Sequence, residues 1–278
     1  MRIACVGDIA FDSYPNEGRV FLGGSSFNQA VHLAQLGHEV TLVSRISPQD
    51  RDIAEHYLEK KQVGSGLRTR AGQTACCEII VRAGERFFTS FRPGVLKDFC
   101  LVDEELRGLE RQDAIVLSLF YGVEQAFESV LKLQFSGIRV ADFSEDYEGD
   151  GVLPLNQLMK SLSYLNIAFV ATNHTDPSGL QSLADQFKTT LLVATLGSQG
   201  SRAWHGNEQY QGMAIPTNVV DTTGAGDAFQ AALLSAYLKG ESIEKALHAA
   251  HLYAAKIVTH LGALEGCELP GRYDHACE

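Results

Sequence analysis

The segment from Val219 to Phe229 carries the residues with the clearest potential chemistry. It reads VVDTTGAGDAF, so an apolar strand end runs into Gly-Ala-Gly and an alanine-rich helical pattern follows at once. Backbone N–H groups converge at such a helix start, and the helix dipole adds positive potential, so the turn suits an anion. Asp227 falls in the first helical turn, where a carboxylate can take a proton from a hydroxyl during phosphoryl transfer. The competing interpretation is a simple strand–helix turn with an acidic residue at the helix start.

Two common nucleotide-binding motifs do not account for this segment. A dinucleotide fingerprint, GxGxxG, would need a third glycine where Phe229 stands and an acidic residue about 20 positions further on. The chain also lacks GxxxxGK[ST], which excludes a P-loop. An anion site here would therefore be formed by the backbone of Gly224, Ala225 and Gly226.

A second glycine-rich segment lies near the N-terminus, and the two segments together are more specific than either one alone. Residues 23–30 read GGSSFNQA, and residues 221–227 read DTTGAGD. Together they resemble the GGxxxNxA and DTTGAGD signatures of the PfkB, or ribokinase-like, family of carbohydrate kinases, and the resemblance covers nearly the whole chain. Short segments, among them Arg86-Phe87-Phe88, are most similar to the fructoselysine 6-kinase branch of that family.

The resemblance implies a role for individual residues. Asp227 would be the catalytic base that deprotonates a sugar hydroxyl, and Gly224, Ala225 and Gly226 would form the anion hole. The residues expected to bind the sugar are Asp12, Gly23, Gly24 and Asn28. For Asp12 the alternative is a turn carboxylate ahead of Ser13-Tyr14-Pro15.

The same resemblance places a nucleotide site further along the chain. Residues 195–200, TLGSQG, resemble the family's TxGxxG stretch, and residues 173–176, NHTD, resemble its NxxE motif. Asp176 would handle magnesium through water, although it is one methylene shorter than the family's Glu. Asp221 matches a position of the monovalent-cation site in some members, which leaves potassium use open. The residues expected to bind the nucleotide are Asn173, Thr195, Gly197, Gly200 and Thr223; Asn173 and Asp176 could instead cap a helix.

Alternating strand and helix patterns predict how these residues are positioned. Apolar runs bounded by glycine alternate with amphipathic stretches, which is typical of an α/β fold with a doubly wound, mostly parallel sheet. The pattern becomes β-rich at about residues 11–22 and 73–91, with a hairpin turn at Arg82-Ala83-Gly84, and this predicts a small β-sheet lid. We expect a single domain over residues 1–278 with the lid inserted in it.

Composition narrows the functional classes. The chain has 278 residues, 34 acidic against 23 basic side chains and 45% apolar residues, which excludes a disordered polyelectrolyte. A net charge of −11 argues against a nucleic-acid partner or an anionic membrane surface. The longest apolar run is about half of the roughly 20 residues that a membrane span needs. Asp8 and Asp12 interrupt any signal-peptide pattern, and no CxxC pair occurs among six cysteines, so we expect reduced thiols and a cytoplasmic protein.

The function implied by these observations is ATP-dependent phosphorylation of a hydroxyl group of a small sugar or sugar derivative, such as a ketose or a fructosamine. Magnesium would offset the charge of the phosphates, and the lid would close over the sugar. Exposed strand edges of the lid would favour a homodimer. The alternatives are an adenosine-type nucleoside kinase and a non-catalytic sugar or nucleotide sensor on the same fold.

Overall fold

The computed structural model describes residues 1–143, 155–171 and 178–273, together with Cys277. The predicted sites Asn173 and Asp176 lie outside the described residues. The strands are β1 (Arg2–Val6), β2 (Ala10–Tyr14), β3 (Arg19–Gly23), β4 (Glu39–Ile46), β5 (Gly64–Thr69), β6 (Ala75–Arg82), β7 (Glu85–Arg92), β8 (Ala114–Ser118), β9 (Ile138–Asp142), β10 (Ile167–Ala171), β11 (Leu191–Thr195), β12 (Ser201–His205) and β13 (Glu208–Gly212). The α-helices are α1 (Ser25–Gln35), α2 (Arg51–Lys60), α3 (Asp103–Leu109), α4 (Glu124–Leu131), α5 (Leu155–Ser161), α6 (Ser178–Gln186), α7 (Ala225–Leu238) and α8 (Ile243–Ile257).

The large sheet is doubly wound, as the alternating patterns predict. Within the described residues it has nine strands in the order β13-β12-β11-β10-β9-β8-β1-β4-β5. The strands from β11 to β5 are parallel, and β12 and β13 add an antiparallel hairpin at one edge. Strands such as β8, buried along its whole length, are covered on both faces, which explains their continuous apolar sequences.

Helices cover both faces of the large sheet. Helices α1, α2, α7 and α8 contribute to the apolar core on one face, with Phe27 and Phe229 among its members. Helices α3, α4, α5 and α6 contribute to the core on the other face. The two helices that carry the predicted signatures, α1 and α7, therefore lie on the same face and pack against each other.

A separate small sheet formed by β2, β3, β6 and β7 occupies the two segments predicted for the lid. Its strand order is β3-β2-β6-β7, with β2 and β6 parallel and the outer pairs antiparallel. The β6–β7 turn has Ala83 at φ 51° and Gly84 at φ 84°. Positive φ at both central residues is the type of turn that the right-handed twist of a hairpin requires.

The sequence patterns do not predict every element. The edge strand β5 has two glycines and an exposed face, so it lacks the apolar run of the other parallel strands. Helix α3 has only seven residues, and β12 and β13 form a short hairpin that shows no distinct period. Strand pairing and tertiary packing define these elements more than local preference does.

The segment after α8 returns to the small sheet. Leu22 donates its N–H to Cys267 O at 2.8 Å, and Leu269 donates its N–H to Val20 O at 2.8 Å. Further along, Cys277 is joined to Cys76 of β6 as a disulfide, with a Cα–Cα distance of 5.6 Å. The expectation of reduced thiols is therefore wrong for this pair, whose members are 201 residues apart in sequence.

None of the described helices is long and apolar enough to cross a membrane.

Candidate active site

The two glycine-rich signatures meet at a contact between α1 and α7. Asn28 Nδ2 donates a hydrogen bond of 2.8 Å to Asp227 Oδ2, although the two residues are 199 positions apart in sequence. Both side chains are buried, at 3% and 8% exposure. The predicted sugar-binding amide and the predicted catalytic base are therefore in direct contact.

The turn before α7 is shaped by two glycines with different surroundings. Gly224 has φ 75°, and an added Cβ would lie 2.5 Å from Ala263 Cβ, so only glycine fits. An added Cβ at Gly226 would meet no described atom within 4 Å. The N-cap residue is Gly224, which supplies no capping side chain, and Ala225 N–H donates to Thr222 O at 3.2 Å. Open space beside Gly226 at the positive end of a helix is an arrangement that can accept an anion.

The N-terminus of α1 is arranged differently, around Asp8. Its two carboxylate oxygens accept the N–H groups of Ser25 at 2.9 Å and Ser26 at 2.8 Å, and its backbone carbonyl accepts Phe27 N–H at 3.1 Å. Burial raises the pKa of Asp8, and these backbone hydrogen bonds oppose that shift. The sequence analysis gave Asp8 no role in the site. Two sequence features could have indicated this role. Asp8 follows the first strand and Gly7, and the next helix begins directly after Gly23-Gly24.

Gly23 and Gly24 make room for carboxylates of the protein itself. An added Cβ at Gly23 would lie 2.0 Å from Asp12 Oδ2, and one at Gly24 would lie 2.8 Å from Asp8 Oδ2. Gly24 also has φ 101°, a backbone conformation that other residues rarely adopt. The glycine pair thus lets the loop between β3 and α1 approach both acids. Binding of a sugar by Gly23, Gly24 and Asp12 stays a prediction.

One polar atom of Asn28 has no partner within the described part of the chain. Its Nδ2 is held by Asp227, while its Oδ1 is buried and accepts no hydrogen bond there. A buried amide oxygen without a donor is costly, so it normally has a ligand or water partner. A substrate hydroxyl next to Asp227 would supply that donor.

Asp221 is fully buried and already bonded by the protein. Among the described residues, its Oδ1 accepts Thr223 N–H at 2.9 Å and Thr223 Oγ1–H at 2.7 Å. Its Oδ2 accepts Tyr14 O–H at 2.9 Å and Gly262 N–H at 2.8 Å. Burial, followed by the charges of Asp12 and Asp221, raises the pKa of Tyr14, so its hydroxyl stays a donor. These four bonds fix the orientation of the carboxylate, and its contact with a potassium ion stays a prediction.

The tip of the small sheet rests on the loop that leads to α7. Thr222 donates its N–H to Gly84 O at 3.1 Å, and Arg86 donates its N–H to Thr222 Oγ1 at 3.0 Å. The sequence analysis did not single out Thr222. These bonds connect the β6–β7 turn directly to the segment that contains Asp221 and Gly224.

The predicted nucleotide side is formed by turns at the end of β11. Thr195 ends that strand, and Gly197 and Gly200 follow with φ values of 56° and 94°. An added Cβ at Gly200 would lie 2.1 Å from Gly212 O, so the packing of β13 against this turn requires glycine. Thr223 lies apart from this turn, bonded to Asp221.

His248 and His251, one turn apart in α8, do not belong to a metal-binding cluster of the described residues. His251 bonds Ser201 Oγ through Nε2 at 2.8 Å, and burial followed by the charge of His248 lowers its pKa to about 4. Within the described residues there is no group of three or more His, Cys, Asp or Glu side chains that could hold a metal ion.

Comparison with known proteins shows the family. Residues 166–270 match the sequence profile of the pfkB family carbohydrate kinases. The chain is 28% identical over 271 residues to fructoselysine 6-kinase from Escherichia coli (strain K12), which covers 94% of this chain and 98% of that protein. It is 30% identical over 260 residues to a fructokinase from Klebsiella pneumoniae, which covers 84% of this chain and 83% of that protein. The chain belongs to the pfkB family of carbohydrate kinases.

The fold of this pfkB kinase agrees with that membership. A probable sugar kinase from Rhizobium etli CFN 42 superposes with a TM-score of 0.82 at 20% identity, over 99% of this chain and 98% of the other. The expectation of a ribokinase-like fold, with a mostly parallel sheet flanked by helices and a small β-sheet, is therefore confirmed. The expectation of a carbohydrate kinase, a phosphotransferase, is confirmed by the named relatives.

Proposed function

We propose that this pfkB kinase transfers the γ-phosphoryl group of ATP to a hydroxyl group of a sugar derivative, with Asp227 as the base. The observation that carries this proposal is the position of Asp227. Its carboxylate is buried, is oriented by Asn28 at 2.8 Å, and lies in the first turn of a helix that begins after Gly224, beside open space at Gly226. A base and an anion-binding turn at one point are what phosphoryl transfer to a hydroxyl requires.

Different residues of the chain accept the proton, bind the phosphoryl group and bind the sugar. Asp227 accepts the proton of the sugar hydroxyl as that oxygen forms its bond to the γ-phosphorus and the bond to the leaving ADP oxygen breaks. Gly224, Ala225 and Gly226 form the anion-binding turn, in which Ala225 N–H also donates to Thr222 O at 3.2 Å. Asn28 Oδ1, which is buried without a described donor, accepts a neighbouring sugar hydroxyl.

We assign the remaining predicted site residues by their motifs. Asp12, Gly23 and Gly24 would contact the sugar together with Asn28. Magnesium, when bound, would offset the charge of the phosphates, with Asp176 as its water-mediated contact. Potassium, when bound, would contact Asp221. The nucleotide side would comprise Asn173, Thr195, Gly197, Gly200 and Thr223.

The substrate class is narrowed by the relatives. A protein named fructoselysine 6-kinase matches almost the whole chain, and a fructokinase matches most of it. Both names point to a ketose skeleton, so we propose a fructosamine as the acceptor and free fructose as the weaker one. We further propose a cytoplasmic enzyme with one kinase domain, the small sheet as a lid over the sugar, and a homodimer formed through that sheet.

An ADP-release assay with magnesium tests the proposal. The acceptors are fructoselysine, fructose, ribose and adenosine, and potassium is added in a parallel series. We expect ADP release that depends on the sugar derivative. Release only with adenosine would instead select a nucleoside kinase. Thermal stabilisation by ligands without any ADP release would select a sensor.

Asp227→Asn provides the matched control, because it keeps the size of the side chain and removes the base. We expect its kcat to fall at least about 100-fold, which is the usual scale for general-base catalysis, while its Tm stays near that of the parent. An unchanged kcat would remove Asp227 from its proposed role.

A further inference from the structure

A second bond joins α1 to α7 directly behind the proposed site. Gln29 Nε2 donates to Gln230 Oε1 at 2.6 Å. Gln29 follows Asn28 in α1, and Gln230 lies three residues after Asp227 in α7. The seam between the helices therefore carries two neighbouring bonds, one between site residues and one that faces the core.

This glutamine pair is enclosed by apolar side chains. Gln29 and Gln230 are 1% and 3% exposed, and the space around them has no room for a water molecule. Ser118 Oγ, at the end of β8, makes a long bond of 3.4 Å to Gln29 Oε1. The apolar groups that surround the pair are Leu33, Val116, Val140, Phe169, Ala231 and Leu234.

Such a pair contributes little net stability but strongly favours one arrangement. A buried amide pair gains its hydrogen bond only after losing water, so two apolar side chains of similar size would be about as stable. Apolar helix faces, however, can slide or rotate against one another with modest cost. A short hydrogen bond without competing water defines one helix register, because any slip would break it and leave Gln29 Nε2 and Gln230 Oε1 without each other in an apolar surrounding.

We propose that Gln29 and Gln230 are positioning residues of the phosphoryl transfer: their bond fixes α1 against α7 so that Asn28 meets Asp227. The inference rests on the proposed function. Loss of the pair would let the helices shift by a fraction of an ångström to an ångström, and shifts of that size near reacting atoms cost rate rather than binding.

The seam also contains a matched control. His38 Nε2 and Ser235 Oγ are 2.9 Å apart, and this contact joins the loop after α1 to α7. Ser235 lies eight residues after Asp227, about 12 Å along the helix. It is a polar contact between the same two parts of the chain, but it is remote from the proposed chemistry.

The test compares Q29L/Q230L with S235A, by kinetics across pH and by thermal unfolding. For Q29L/Q230L we expect a Tm within about 3 °C of the parent, a sugar KM within about threefold, and a kcat reduced about 10-fold. The acidic limb of the kcat profile should move to higher pH, because Asn28 would stabilise the ionised Asp227 less well. S235A should leave kcat and the pH profile unchanged. Each single variant, Q29L or Q230L, leaves one amide unbonded and should have a lower Tm than the double variant.

An unchanged kcat and pH profile in a folded Q29L/Q230L enzyme would overturn the inference and leave the proposed function intact. A fall of kcat in S235A equal to that in Q29L/Q230L would also overturn it, since any loosening of the seam would then suffice. If the leucine pair does not fold, Q29M/Q230M is measured in its place, because the flexible methionine fills irregular space, and the same outcomes decide. A parent enzyme that releases no ADP would overturn the proposed function and this inference with it.

Discussion

The N-termini of α1 and α7 use the same physical property in opposite ways. Both helices begin at a glycine with positive φ, Gly24 and Gly224, and both present backbone N–H groups at the positive end of the helix dipole. In α1 these groups bind Asp8, an anion supplied by the chain. In α7 the N-cap residue is Gly224, Ala225 N–H donates to Thr222 O at 3.2 Å, and a Cβ added at Gly226 would meet open space. The first helix end is closed by a carboxylate of the chain and stabilises the fold, whereas the second has open space where we propose that a ligand's charge is stabilised.

This contrast also separates two kinds of glycine. Gly24 and Gly224 have positive φ and neighbours that a Cβ would hit. Gly226 has neither constraint, and nothing described in the protein prevents an alanine there. A glycine that the fold does not need in the first turn of a helix is consistent with a ligand that approaches the backbone there.

The largest effects are expected when the glycines at the start of α7, Gly224 and Gly226, are replaced by alanine. Gly226→Ala should fold with an unchanged Tm but lose about 10- to 100-fold in kcat, because its Cβ would enter the space proposed for the phosphoryl group. Gly224→Ala should lose about 1–3 kcal/mol in the free energy of unfolding, because it combines an unfavourable φ with the Ala263 contact. ADP release and denaturant unfolding measure the two quantities. A fully active Gly226→Ala enzyme would contradict the proposal that the space beside Gly226 receives the phosphoryl group.

A smaller effect is expected when the closed helix end is weakened. Asp8→Asn keeps one oxygen acceptor and leaves a second α1 N–H poorly bonded, so the free energy of unfolding should fall by about 2 kcal/mol. The sugar KM should rise because Gly24, a predicted sugar contact beside the Asp8 bonds, loses its anchor. The control is Asp52→Asn, an exposed acid in the first turn of α2, which should cost less than about 0.5 kcal/mol. Denaturant unfolding measures both variants. An equal loss in the free energy of unfolding for Asp8→Asn and Asp52→Asn would show that Asp8 does not stabilise the N-terminus of α1.

The smallest effect concerns the histidines that pack behind these helices. Burial lowers the pKa of His32, in α1, to about 3, and burial followed by His248 lowers that of His251, which packs on Phe229 of α7, to about 4. Both stay neutral in the folded chain but become protonated in the unfolded chain below about pH 6.5. The free energy of unfolding should therefore fall as the pH drops from 6.5 to 5.5, by about 1 kcal/mol for each histidine. His32→Phe and His251→Gln should each make the free energy of unfolding depend less steeply on pH. Unfolding curves recorded at several pH values measure this dependence. An unchanged pH dependence in both variants would contradict the prediction.

The sequence was most informative where local pattern and final environment coincide. The parallel strands and the helix predicted after Gly-Ala-Gly are both present, because a buried parallel strand such as β8 is a continuous apolar run and α7 begins at a glycine turn. The lid segments were found because a hairpin has its own turn residues. The strand β5 was missed because its glycines and exposed face give no apolar period.

The roles of Asp8 and Gln29 could not be obtained in the same way. Asp8 looks like any acid after a strand until the chain folds back and places the start of α1 against it, 17 and 18 positions away. Gln29 bonds Gln230, which is 201 positions away in sequence. No periodicity of the sequence distinguishes a core-facing glutamine from an exposed one. The disulfide between Cys76 and Cys277 was missed for the same reason.

The amino-acid sequence alone determined the family, the α/β class and the identity of the proposed base, because glycine turns and apolar periods are local properties that short motifs preserve. Tertiary structure decided which acid fills a helix end and which helix end stays open. It also decided which amides meet across the seam, because such contacts join residues that only the packed sheet brings together.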